Sequence, residues 1–145
     1  MKTKLQNELL SYVHMSASVF RQYAQSANNL VAKDFLNKII EKLSKHESEV
    51  KARMRIEKDG NELSLMQNMV VCMKKFQTKM IKDSFEICVE ALKTIHMAIY
   101  QLNRYIRRNS NVLNDEFVNI TKYLLKEYEG IEKELRDFIK TEFLF

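Results

Sequence analysis

Apolar residues recur along this chain at steps of three and four, the spacing of one face of an α-helix. Leu5, Leu9, Val13, Ser16, Phe20, Tyr23 and Ala27 predict a first helix over about 3–27. After the turn residues "ANN", Ala32, Phe35, Ile39, Leu43, His46 and Val50 draw the inner stripe of a second, over about 30–58. Gly60 then supplies the left-handed backbone with which helices commonly end. Met66, Met69, Met73, Phe76 and Met80 form a further stripe and predict a helical connector over about 62–82. Asp83 with Glu86 has the spacing of a capping pair, restarting the chain as a helix over about 84–108. Beyond "RRNSNVLND" a last helix over about 114–142 follows from Phe117, Ile120, Leu124, Tyr128, Ile131, Leu135 and Phe138.

Composition agrees with an all-α fold. The chain has no proline, two glycines, 46% hydrophobic and 30% charged residues, which suits long amphipathic helices better than strands joined by tight turns. Its 145 residues fit one domain, 1–145, able to bury roughly two-thirds of its unfolded surface. The first ten residues, "MKTKLQNELL", lack the apolar core of a signal peptide, and no stretch of about 18 uncharged apolar residues occurs. The expectation is a cytoplasmic protein with no membrane segment.

The chain also repeats itself. "ELLSYVHM" (Glu8 to Met15) returns as "EALKTIHM" (Glu90 to Met97), with Glu, Leu, His and Met at the same relative places. An ungapped shift of 82 residues pairs Tyr23 with Tyr105, Asn29 with Asn111, Phe35 with Phe117, Leu43 with Leu125 and Glu47 with Glu129. An internal duplication is therefore expected, each copy a helical hairpin: one over about 3–58, the other over about 84–142. A connector of about 20 residues spans roughly 30 Å at 1.5 Å per residue. That length lets it cross a bundle end to end, giving a four-helix bundle with one long connection.

On these residues, with "VFRQYA" before the first turn and "DFLNKIIEKLSKHESEVKARM" after it, the chain resembles the rubrerythrin and ferritin-like group. The resemblance implies a diiron site: one Glu from each of the first and third helices, and a Glu-x-x-His from each of the second and fourth. This sequence departs from that set. The first- and third-helix positions fall on Val13 and Ile95, and the i, i+3 pairs on Leu43 with His46 and on Leu125 with Tyr128. The expectation is a degenerate site filled by apolar side chains, no cofactor, and a non-catalytic structural or protein-interaction role.

Three other chemistries have candidate residues. His14, His46 and His96, with Glu47, Glu49, Glu129 and Glu132 nearby, could hold iron or zinc between helices, although no diagnostic ligand spacing is present. Basic groups at Lys51, Arg53, Arg55 and Lys58, at Lys74, Lys75, Lys79 and Lys82, and at Arg104, Arg107 and Arg108 could meet phosphates. The net charge is only +5 and aromatic interleaving is sparse, so nucleic acid is not the expected partner. The methionine-rich crossover or the apolar tail Phe138 to Phe145 could instead seat a second copy or a partner helix. Cys72 and Cys88 have no metal or disulfide spacing and are expected to be plain thiols.

Overall fold

The computed structural model describes residues 2–54 and 83–144, and among these every regular element is an α-helix. There are four: α1 (Lys2–Ser26), α2 (Leu30–Met54), α3 (Ser84–Arg108) and α4 (Asp115–Phe143). The predicted connector over 62–82, its methionine stripe, Gly60, Cys72, the end of the second helix beyond 54, and the basic residues from Arg55 to Lys82 lie outside the described residues. No helix among those described is long and apolar enough to cross a membrane.

The starts of these helices are written in their caps. Asp83 Oδ1 accepts from the Glu86 N–H at 2.8 Å, as the spacing of the pair predicts. Asn29 Oδ1 accepts from the N–H groups of Val31 and Ala32 at 2.8 and 3.1 Å. Asn114 does the same for Phe117 at 3.0 Å from an extended backbone. Each satisfies an amide that the first turn of a helix leaves without an intrahelical acceptor.

The chain divides into two compact units, 1–87 and 88–145. In the first, α1 and α2 form an antiparallel hairpin: Gln6 Nε2 donates to the Met54 carbonyl at 2.9 Å near one end, and Arg21 Nη2 donates to Ser44 Oγ at 3.0 Å towards the other. Leu9, Val13 and Phe20 of α1, with Leu36, Ile39 and Leu43 of α2, are fully buried. In the second, His96 Nδ1 of α3 meets Glu132 Oε2 of α4 at 3.1 Å, and Ile95, Leu102, Tyr105, Leu124, Tyr128 and Leu135 are fully buried. Cys88 is buried, and burial pushes its thiol up to about 11, which leaves it an unreactive apolar group.

Comparing the buried positions of the two hairpins corrects the register expected from sequence. Between α1 and α3 the shift of 82 holds: Leu9 corresponds to Ala91, Val13 to Ile95, Ser16 to Ala98, Phe20 to Leu102 and Tyr23 to Tyr105, all buried. Between α2 and α4 the shift is 85, pairing Ala32 with Phe117, Leu36 with Thr121, Ile39 with Leu124, Leu43 with Tyr128, His46 with Ile131 and Val50 with Leu135. The physical reason is the turn: residues 27–29 join the first hairpin, whereas 109–114 join the second, three more. The capping asparagines obey the same shift, Asn29 answering to Asn114 and not to Asn111. Leu125 is accordingly half-buried beside the core stripe, which runs through Leu124 and ends on Ile139 rather than Phe138.

Gly130 lies in the middle of α4, and a methyl group placed on it would meet nothing within 4 Å. Gly130→Ala is therefore expected to stabilise the protein by about 0.5–1 kcal/mol, through helix propensity alone. The check is a urea midpoint that rises with an unchanged slope.

Candidate functional site

The residues with the best claim to chemistry are the histidines, and the fold treats them in two ways. His46 is on the core stripe of α2 and is 2% exposed. Glu49, one turn on, keeps Oε1 within 3.9 Å of Lys45 Nζ, while its Oε2 is buried and meets no hydrogen-bond donor among the described residues. His14 and His96 sit one residue past the buried Val13 and Ile95, which turns them onto the flank of each hairpin.

There each histidine reaches a glutamate on the facing helix. His14 Nδ1 donates to Glu47 Oε1 at 2.8 Å, with Lys51 Nζ 3.9 Å from the same oxygen. His96 Nδ1 lies 3.1 Å from Glu132 Oε2, and Arg136 Nη2 binds Glu132 Oε1 at 2.9 Å. The two clusters are one arrangement made twice. His14 and His96 differ by 82, while Glu47 with Lys51 and Glu132 with Arg136 differ by 85, the registers of the buried positions. Glu129, which the ungapped repeat would pair with His96, is exposed.

Charge explains the arrangement. A glutamate placed four residues before a cation on one helix face is the favourable orientation of an i, i+4 pair. The imidazole adds a second donor from across the hairpin. The His14 hydrogen bond, aided by the charges of His14, Lys51 and Arg21, holds the Glu47 carboxyl below its ordinary value of 4.5 against the opposing effect of burial. The stability that this pairing contributes is present above the unfolded carboxyl's pKa and is lost as pH falls through the depressed value. Glu47→Gln is expected to cost about 1 kcal/mol at pH 7 and to flatten the loss of stability below pH 4.5. Urea denaturation of both proteins across the acid range checks this.

The remaining nitrogen of His14, Nε2, faces Ser18 Oγ at 3.4 Å. Carboxylate, imidazole and hydroxyl thus follow one another in the order used by serine hydrolases, but the α1 backbone around Ser18 offers no free amide to stabilise an oxyanion. Ser18 is in mid-helix, where backbone amides are consumed by the helix itself. The second hairpin carries Tyr100 at the place of Ser18. As metal sites the clusters offer one imidazole and one carboxylate each, with a lysine or arginine already beside the carboxylate. Zinc sites commonly have three or four protein ligands, and among the described residues no group of three or more His, Cys, Asp or Glu is gathered.

Sequence reasoning named His14, His96, Glu47 and Glu132, took Lys51 only as a phosphate-facing group, and passed over Arg136. The signal was present: Lys51 and Arg136 each follow a glutamate by four residues. No protein-family model matches this chain, and no curated protein or solved structure is significantly similar to it.

Proposed function

We propose that the chain is a ferritin-like bundle protein, built from two copies of one helical hairpin, that has exchanged a dinuclear metal site for apolar core and serves as a non-catalytic interaction protein. One observation carries this. At the positions that the family resemblance assigns to metal ligands stand Val13, Leu43, Ile95 and Tyr128, all buried, and the half-buried Leu125, with His46 the sole imidazole. Aliphatic groups cannot neutralise or bridge iron, whereas burying them gains roughly 0.8 kcal/mol per methylene. The equal helix lengths of α1 and α3, the shared buried positions and the twin His–Glu–cation clusters support the duplication.

The flank clusters act in this account as electrostatic clips between the two helices of each hairpin. Anaerobic loading with ferrous iron followed by oxygen tests the functional claim. Oxidation no faster than in protein-free buffer is expected. Saturable turnover that disappears in His46→Ala would replace the interaction role with a redox one.

A further inference from the structure

α1 and α3 share helix bounds at the shift of 82 and bury the same stripe, Leu9 with Ala91 through Tyr23 with Tyr105, so differences between their exposed positions are not demanded by that stripe. One such difference is concentrated on the outer face of α3. Lys93, Met97, Tyr100, Arg104 and Arg107 follow one another at steps of four and three and are all exposed, and Arg108 continues the same end. Met97 is 56% and Tyr100 55% exposed. From Ala91 to Asn114 the sequence contains no aspartate or glutamate. The corresponding residues of α1, at the shift of 82, are Ser11, Met15, Ser18, Gln22, Gln25 and Ser26. Every cation of the α3 strip thus stands where the first hairpin has a neutral side chain. The first hairpin's neighbouring arginine, Arg21, is spent on Ser44 within the hairpin.

We propose that this face of α3 is a docking surface for an acidic amphipathic helix of a partner protein. The proposal rests on the interaction role inferred above and names its surface and the chemistry of its partner. The strip from Lys93 to Arg107 covers 14 helical steps, roughly 21 Å at 1.5 Å per residue, four turns along which a second helix can lie. Its apolar residues are central and its cations terminal, so a matching helix presents apolar side chains at its middle and carboxylates towards its ends. Tyrosine, methionine and arginine are the side chains enriched in protein interfaces. Exposed methionine offers a phosphate backbone nothing, and one tyrosine is a short platform for single-stranded nucleic acid, whose binding grooves stack successive bases. Glu132, the carboxylate that reaches His96 beside the strip, is already held by His96 and Arg136. Glu90, 3.4 Å from Lys93, lies at the strip's end.

The test uses the full chain and three probes. The first is a synthetic helical peptide with leucine on a heptad seam flanked by glutamates, alongside its Glu→Lys counterpart. The others are a fluorescent oligothymidylate and vesicles containing phosphatidylserine. Binding is read by anisotropy or co-sedimentation and by the NMR signals of the Met97 methyl and the Tyr100 ring. The acidic peptide is expected to bind and to shift both signals, with affinity falling as salt rises. The variant Lys93→Ser, Arg104→Gln, Arg107→Gln, Arg108→Ser carries the residues of α1, which a helix of this fold already tolerates. It should bind at least about tenfold more weakly. A Met97→Ala, Tyr100→Ala variant should lose binding with its stability unchanged. Silence of both signals at saturating acidic peptide, or equal binding by the neutralised variant, overturns the proposal. Tighter binding of oligothymidylate or vesicles through the same residues overturns the partner class. Iron turnover in the same preparation would instead sink the interaction role itself, which separates the two failures.

Discussion

Val13→Glu is expected to destabilise the protein by on the order of 4 kcal/mol at neutral pH. Val13 has no exposed surface, and the new carboxylate would be a buried charge with no compensating partner. Ile95→Glu, at the corresponding place in the second hairpin, should cost a similar amount. Burial raises a carboxyl's pKa, so in both variants the folded state binds the proton more readily than the unfolded one. The deficit should therefore shrink as pH is lowered towards the unfolded carboxyl's value. Ferrous iron should not restore stability, because His46 and the Tyr128 phenol are the only polar groups at the other assigned positions. Chemical denaturation at several pH values, with and without iron, reads all of this. A variant as stable as the parent, or one rescued by iron, would show that the core keeps room and ligands for metal.

The second large effect concerns the equivalence of the hairpins. Tyr23 and Tyr105 occupy corresponding places on α1 and α3 and are 1% and 0% exposed. In the first hairpin the Phe20 ring meets Tyr23 edge to face at 5.7 Å. Truncating a buried aromatic side chain to alanine removes its transfer free energy and leaves a cavity, typically about 3–5 kcal/mol. Tyr23→Ala and Tyr105→Ala are expected to fall in that range and within about 1 kcal/mol of one another, since both side chains are buried at corresponding places on α1 and α3. Matched urea midpoints would agree with two copies of one hairpin. A near-neutral effect at one site would mean that the two hairpins bury their tyrosines for different reasons.

Much of this fold was legible because it is local. Helix boundaries came within about two residues wherever a cap or a turn residue marked them, and Asp83 with Glu86 fixed the start of α3. The stripe of α1 was read correctly throughout, from Leu5 to Ala27. Register across the longer turn was not legible. Periodicity repeats every three or four residues, so the turn at 109–114, three residues longer than that at 27–29, slides one apolar stripe almost onto itself. Leu125 and Tyr128 then look like a repeat of Leu43 and His46, although the buried pair is Tyr128 and Ile131. The asparagine caps break this degeneracy, because only Asn114 places its side chain on the first turn of α4.

The candidate site was legible in its residues and not in its partnerships. The sequence named His14 and His96 as candidate ligands between helices, and the structure has each on the flank of the core stripe facing a glutamate of the next helix. Spacing could not choose between Glu129 and Glu132 without the register, nor show that Lys51 and Arg136 close each cluster. The face of α3 was noticed only as a group of arginines. Its significance emerges from the comparison with α1, which requires knowing that the two helices correspond turn for turn.

Elemental analysis of untagged protein equilibrated anaerobically with ferrous iron, and separately with zinc, tests most directly the claim that apolar core has replaced a dinuclear site. A fully folded protein that retains neither metal stoichiometrically after exhaustive dialysis is the expected result. Retention of about two equivalents of iron, abolished by His46→Ala and accompanied by a higher unfolding midpoint through ligand linkage, would contradict it.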